Sequence, residues 1–200
     1  RKGRDIILIG HKGHPEVIGT LGRHPVNSDT TINLVEDYED IEKLKINSSD
    51  IAYVTQTTLS VDETKGLIEA LKVKYPQIIG PSADDICYAT QNRQDAVKQL
   101  SLECEIVLVI GSKTSSNSNR LKELAEKCGT KSFLIDDKSD INIEELKQTM
   151  SVGITAGASA PEEIVQEVIS FLYPLGYKTV RNLSENNESM TFKLPKELAD

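Results

Sequence analysis

The chain states one pattern twice. Residues 5–16 read DIILIGHKGHPE and residues 105–117 read EIVLVIGSKTSSN, each an acidic residue, an aliphatic run, then Gly-x-Lys and a polar stretch. At a shift of 101 residues Gly10 falls on Gly111, Lys12 on Lys113, His14 on Ser115 and Glu16 on Asn117. Further along, AYVTQTTLSVDE at 52–63 aligns with VGITAGASAPEE at 152–163 at a shift of 100, setting Val54 over Ile154 and Thr55 over Thr155. A period of this size in a 200-residue chain indicates two copies of one α/β unit, with function expected where the copies differ.

Short runs rich in Ile and Val at 6–9, 32–35, 51–54, 106–110, 133–135 and 152–154 suit strands buried on both faces of a parallel sheet. Between them, helical stretches are expected at 64–75, 92–102, 120–128, 143–149 and 162–172. Ser60-Val-Asp-Glu63 and Ser159-Ala-Pro-Glu162 have the form of capping boxes. Alternating strand and helix predicts right-handed βαβ crossovers and small parallel sheets. The units are placed at 1–83 and 84–171, followed by a tail, 172–200, that belongs to neither and carries one more strand at Met190–Leu194.

Composition narrows the function classes. Lys and Arg number 23 against 31 Asp and Glu, a net charge of −8 that argues against sequence-independent nucleic-acid binding. No apolar run approaches the roughly 20 residues that span a bilayer, and Arg-Lys-Gly-Arg followed by one strand-length run is no signal peptide, so the expectation is a cytoplasmic protein without a membrane segment. Cys87, Cys104 and Cys128 are an odd set at wide spacings without CxxC, which fits a reducing compartment. An anionic small ligand remains compatible with the acidic balance, because helix N-termini hold anions with backbone N–H groups.

In open parallel sheets ligands collect at the carboxyl ends of strands, and every polar cluster of this chain falls there. In Gly10-His-Lys-Gly-His-Pro-Glu16, His14 can donate to phosphate oxygens and Glu16 can shuttle a proton; alternatively Pro15-Glu16 simply begins a helix. Ser115, Ser116 and Asn117 could cradle a phosphate or serve as N-caps, and Ser159 faces the same choice. Thr57 could bridge a ligand and a carboxylate or satisfy backbone groups at a strand end. Cys87, in the turn before a helix, could ligate iron, act as a nucleophile or be a small buried hydrophobe, whereas Cys104 and Cys128 read as structural.

Taken together, GHKGHPEVIGT, TQTTLSVDET, DDICYATQNRQ, GSKTSSNSNRL and ITAGASAPEEIVQ resemble, in unbroken order, the motifs of the 4-hydroxy-3-methylbut-2-enyl diphosphate reductase (LytB) family. The resemblance implies three similar α/β units in pseudo-threefold array around a cavity, and a [4Fe–4S] cluster held by one cysteine from each unit. It further implies reductive removal of an allylic hydroxyl at the last step of the methylerythritol phosphate route to isoprenoids, with electrons from a donor protein such as ferredoxin or flavodoxin. By this resemblance Cys87 is a cluster ligand, while His14, Ser115, Ser116, Asn117 and Ser159 bind the substrate diphosphate. Glu16 delivers the proton and Thr57 aligns it. The family's first unit, with two cluster cysteines and two further histidines, has no counterpart here, so the expectation is a partial chain, inactive alone. The competing class is a non-enzymatic phosphate- or sugar-binding module with an inert Cys87.

Overall fold

A computed structural model describes residues 3–25, 28–81, 85–147, 149–183 and 195. Strands β1 (Asp5–Ile9), β2 (Ile32–Val35) and β3 (Ile51–Thr55) form one parallel sheet in the order β2-β1-β3. Strands β4 (Ile106–Ile110), β5 (Lys131–Ile135) and β6 (Val152–Ala156) form a second in the equivalent order β5-β4-β6. Helices α1 (Pro15–Gly22), α2 (Tyr38–Lys43) and α3 (Val61–Lys74) accompany the first; α4 (Tyr88–Glu103), α5 (Ser116–Lys127), α6 (Ile143–Leu146) and α7 (Glu162–Leu172) accompany the second. The α/β class of repeated small parallel-sheet units is therefore as expected.

The central strand β4 shows why such runs form buried strands. All five residues are buried, and successive side chains point to opposite faces. Ile106, Leu108 and Ile110 pack with Val168 and Leu172 of α7, while Val107 and Val109 pack with Val97 of α4 and Leu121 and Ala125 of α5. Each such aliphatic side chain contributes roughly 1.5–3 kcal/mol by leaving water. In the first sheet Ile7 and Ile9 face Leu67 and Leu71 of α3.

Strand pairing corrects the register of the second echo. Ile9 lies opposite Thr55 and Ile110 opposite Ala156, and the next backbone N–H groups, of Gln56 and Gly157, donate to Ile9 O and Ile110 O at 2.8 Å each. Positions β3 and β6 therefore correspond at a shift of 101, like β1 and β4, not 100. Only β2 and β5 correspond at 100, since Ile9 faces Val35 and Ile110 faces Ile135. Gln56 is thus the counterpart of Gly157.

Helix boundaries also move. Helix α3 starts three residues before the expected stretch, α4 and α5 four before, and α6 ends at Leu146. Helix α1 begins at Pro15, as one of the two readings of that loop had it, whereas α2 was not anticipated as an element. Ser60 caps α3 as expected, accepting from Glu63 N at 3.4 Å, but α7 begins after Pro161 without a side-chain cap, so Ser159 closes no capping box. Where the tail is described it packs on the second sheet's cores, with Tyr177 donating to Leu146 O at 2.8 Å. The strand expected at Met190–Leu194 lies outside the described residues.

Candidate active site

Both sheets present their strand C-termini to neighbouring loops, and hydrogen bonds tie those loops together. Gln94 of α4 is 2% exposed and spans the two halves, donating through Nε2 to Leu59 O at 2.8 Å and accepting from Val61 N at 3.0 Å. Asp85 accepts from Thr55 N at 2.9 Å, and Lys98 pairs with Asp62 at 2.8 Å, a contact that raises the lysine's pKa. The start of α4 is thereby seated beside the end of β3.

Thr57 is the junction of that seat. Its backbone N–H donates to one Glu16 carboxylate oxygen at 2.8 Å and its hydroxyl to the other at 2.7 Å, so both oxygens of Glu16 are fixed. Its carbonyl accepts from Cys87 N at 3.0 Å. One threonine therefore holds a carboxylate on one side and the cysteine loop on the other. Cys87 is exposed and is the N-cap of α4 without making a side-chain cap bond, which rules out the buried-hydrophobe alternative. Cys104 is half-buried beside Leu100 and Gly153, where burial pushes its thiol pKa up, and Cys128 sits at the C-cap of α5. Cys104 therefore suits a structural reading, whereas Cys128, like Cys87, is exposed.

His14 and Ser115 occupy the same place in the repeat. His14 caps α1, its Nδ1 accepting from Glu16 N at 3.3 Å; Ser115 caps α5, its Oγ accepting from Ser118 N at 3.3 Å. With Nδ1 engaged as acceptor, a neutral His14 ring carries its proton on Nε2. Ser116 opens α5 and accepts from Thr58 Oγ1 at 3.0 Å, which links the first half's loop to the second's. His11 Nε2 meets Arg120 of α5 at 3.0 Å, a further tie between the same two elements.

Asn117 stands apart from all of these. It is 6% exposed, and neither Oδ1 nor Nδ2 has a hydrogen-bond partner among the described residues. Leaving a buried amide unpaired costs about 1–3 kcal/mol, so such a group calls for a missing partner. It lies in the first turn of a twelve-residue helix whose first turn carries no acidic residue. Among the described α-helices only α4 and α5 lack one there, so the positive ends of these two are not already neutralised. Glycines keep the approach open: a Cβ on Gly157 would lie 2.3 Å from Ser118 Oγ and 3.7 Å from Asn117 Nδ2, and one on Gly111 would lie 2.2 Å from Ser118 Oγ. Gly157→Ala is accordingly expected to cost about 1–3 kcal/mol in denaturant unfolding by overpacking a buried serine; unchanged stability would show that Ser118 can step aside. Ser159, two residues beyond Gly157, is exposed, and its hydroxyl makes no hydrogen bond among the described residues.

The profile of the family described as LytB protein matches residues 1–173. The chain belongs to the LytB protein family. It is 54% identical over 199 residues to the 4-hydroxy-3-methylbut-2-enyl diphosphate reductase of Alcanivorax borkumensis and 53% identical over 197 to that of Saccharophagus degradans. These alignments cover 99% and 98% of the chain, but 64% and 63% of the relatives. Among solved structures it is similar to the E-1-hydroxy-2-methyl-but-2-enyl-4-diphosphate reductase of Plasmodium falciparum, with a TM-score of 0.87 and 34% identity over 98% of this chain and 61% of that one. The chain thus spans a little under two thirds of the length of the LytB relatives it matches.

One residue of this candidate site in the LytB chain escaped sequence reasoning. Gln56 is 1% exposed and hydrogen-bonded to His11, Thr58 and Ser116. The signal that could have exposed it is the repeat itself, because the 101-residue register sets a large amide against a glycine. No helix among the described residues is long and apolar enough to cross a membrane.

Proposed function

We propose that this chain is the substrate-holding and proton-delivering part of a 4-hydroxy-3-methylbut-2-enyl diphosphate reductase. The overall reaction takes an allylic alcohol, two electrons and two protons to an alkene and water, giving isopentenyl and dimethylallyl diphosphate. The observation that carries this reading is the buried, unpaired Asn117 amide at an uncompensated helix N-terminus, in a chain whose other loop holds a fixed carboxylate. One feature suits a polyanion, and the other suits an acid acting on a leaving oxygen.

In this proposal the diphosphate lies at the N-terminus of α5, contacting Ser115, Ser116, Asn117, Ser159 and the Nε2 proton of His14. Binding energy from this non-reacting end orients the hydroxyl-bearing end toward Glu16. Glu16 gives a proton to the departing oxygen, and the two Thr57 donors keep its carboxyl aimed. A non-enzymatic binding module would have no use for that fixed carboxylate or for the cysteine loop tied to it.

The cysteine content fits the family's cluster in one corner only. Cysteine-held [4Fe–4S] clusters take several thiolates, whereas among the described residues no three His, Cys, Asp or Glu side chains converge on a metal position. Cys87, exposed beside Thr57, would supply one ligand, and the others would come from the part of the relatives that this chain does not span. When bound, the cluster would supply the two electrons, received from a donor protein such as ferredoxin or flavodoxin in the cytoplasm. The chain alone is expected to hold no stable cluster and show no turnover after anaerobic reconstitution; iron and sulfide near four per chain, with turnover, would refute this.

A further inference from the structure

At the ends of β3 and β6 the two halves differ, Gln56 standing where the second half has Gly157. Gly157 leaves room for Ser118, whereas in the first half Gly10 leaves room for Val17 and Gln56: a Cβ on Gly10 would lie 2.6 Å from Val17 Cγ2, 3.2 Å from Gln56 Cβ and 3.3 Å from its Oε1. Oε1 accepts from the backbone N–H of His11 at 3.0 Å. That group can only donate, so the amide's orientation is fixed with Nε2 as its donor end. Nε2 donates to Thr58 Oγ1 at 3.0 Å and, more loosely, to Ser116 Oγ at 3.4 Å; Thr58 Oγ1 then donates to Ser116 Oγ at 3.0 Å. Ser116 therefore accepts twice, and its own proton has no acceptor among the described residues.

We propose that Gln56 is a positioning residue that sets the direction of a hydrogen-bond relay through Thr58, so that Ser116 presents a proton rather than a lone pair to an anionic ligand. This rests on the assignment of Ser116 to the diphosphate. A phosphate oxygen only accepts, so a serine hydroxyl helps only when its proton faces the ligand. The relay makes that choice before the ligand arrives, because both lone pairs of Ser116 are already engaged. Gln56→Glu keeps the side chain's shape and its acceptance from His11 N, but an ionised carboxylate cannot donate. Thr58 would then donate to Glu at 56 and Ser116 to Thr58, reversing the relay and turning a lone pair toward the anion.

The test is titration of inorganic pyrophosphate into the intact natural protein, comparing Gln56→Glu, Thr58→Val, Ser116→Ala and the double variant Gln56→Glu/Ser116→Ala. Gln56→Glu is expected to weaken binding about 30-fold in the presence of Ser116 and less than about threefold in its absence, because removing the hydroxyl removes what the relay orients. Thr58→Val cuts the relay without adding charge and is expected to weaken binding about five- to tenfold; it decides alone if Gln56→Glu fails to fold. A full-sized Gln56→Glu loss in the Ser116→Ala background would show an effect of charge and overturn the relay, as would unchanged binding in Thr58→Val. If Ser116→Ala itself binds pyrophosphate normally, the diphosphate assignment falls and the relay with it, whereas a weakened Ser116→Ala beside an unaffected Gln56→Glu refutes the relay only.

Discussion

Glu16→Gln in the intact protein is expected to lower kcat by about 10²–10⁴-fold while leaving KM within about threefold of the natural protein's. The split follows from how the carboxylate is held. Thr57 N donates to one oxygen and Thr57 Oγ1 to the other, so an amide can keep the backbone bond through its oxygen while the rotatable threonine hydroxyl turns to accept from its nitrogen. Shape and contacts survive; the transferable proton does not. The side chains assigned to the diphosphate, Ser115, Ser116, Asn117, Ser159 and His14, are unchanged, and the Glu16 N–H that His14 accepts from is backbone, which is why binding should persist. Steady-state kinetics with a reconstituted cluster decide the matter. Equal losses in kcat and affinity would mean that Glu16 holds substrate, and unchanged turnover would remove it from the mechanism.

The parts of this site that were legible in the sequence are those set by local pattern. An uninterrupted run such as Ile106–Ile110 can hardly avoid a buried central strand, and the loops that follow β1, β3, β4 and β6 must then meet at the carboxyl ends of the sheets. Helix α1 was legible only as a possible start at Pro15-Glu16, because PEVIGTLG is short and carries two glycines, and because His14, a weak cap by residue type, does the capping. The register of β3 against β6 was hidden because Val54-Thr55 resembles Ile154-Thr155 as well as any correct pairing would. Only the backbone bonds from Gln56 and Gly157 to the central strands distinguish a shift of 101 from 100. That single residue of slip set Gln56 against Ala156 and masked the divergence that matters. Nor could sequence separate the roles of the serines. Ser115 caps its helix, Ser116 receives a relay from the other half and Ser159 caps nothing, distinctions made by tertiary distances alone.

Asn117→Leu is expected to raise the thermal midpoint of the ligand-free protein and to abolish tight pyrophosphate binding. In the free state the natural amide is buried with both polar atoms unpaired among the described residues, a standing cost of about 1–3 kcal/mol that an apolar side chain of the same branching removes. For a protein of about 200 residues a gain of that size lifts the midpoint by roughly 2–12 °C. With anion present the sign should invert. Hydrogen bonds to charged groups contribute about 1.5–3 kcal/mol, so the natural protein should bind pyrophosphate at least about 10–150-fold more tightly than the variant. At a ligand concentration near 100 times its dissociation constant the natural protein gains about 2.7 kcal/mol, enough to cancel or reverse the variant's advantage. Two melting curves for each protein, with and without pyrophosphate, therefore test the site from both directions. A crossing of the midpoints would mean that the α5 N-terminus accepts instability in the empty state in order to bind an anion. A variant less stable than the natural protein under both conditions would mean that the Asn117 amide is satisfied within the fold, and the central support for the diphosphate assignment would be lost.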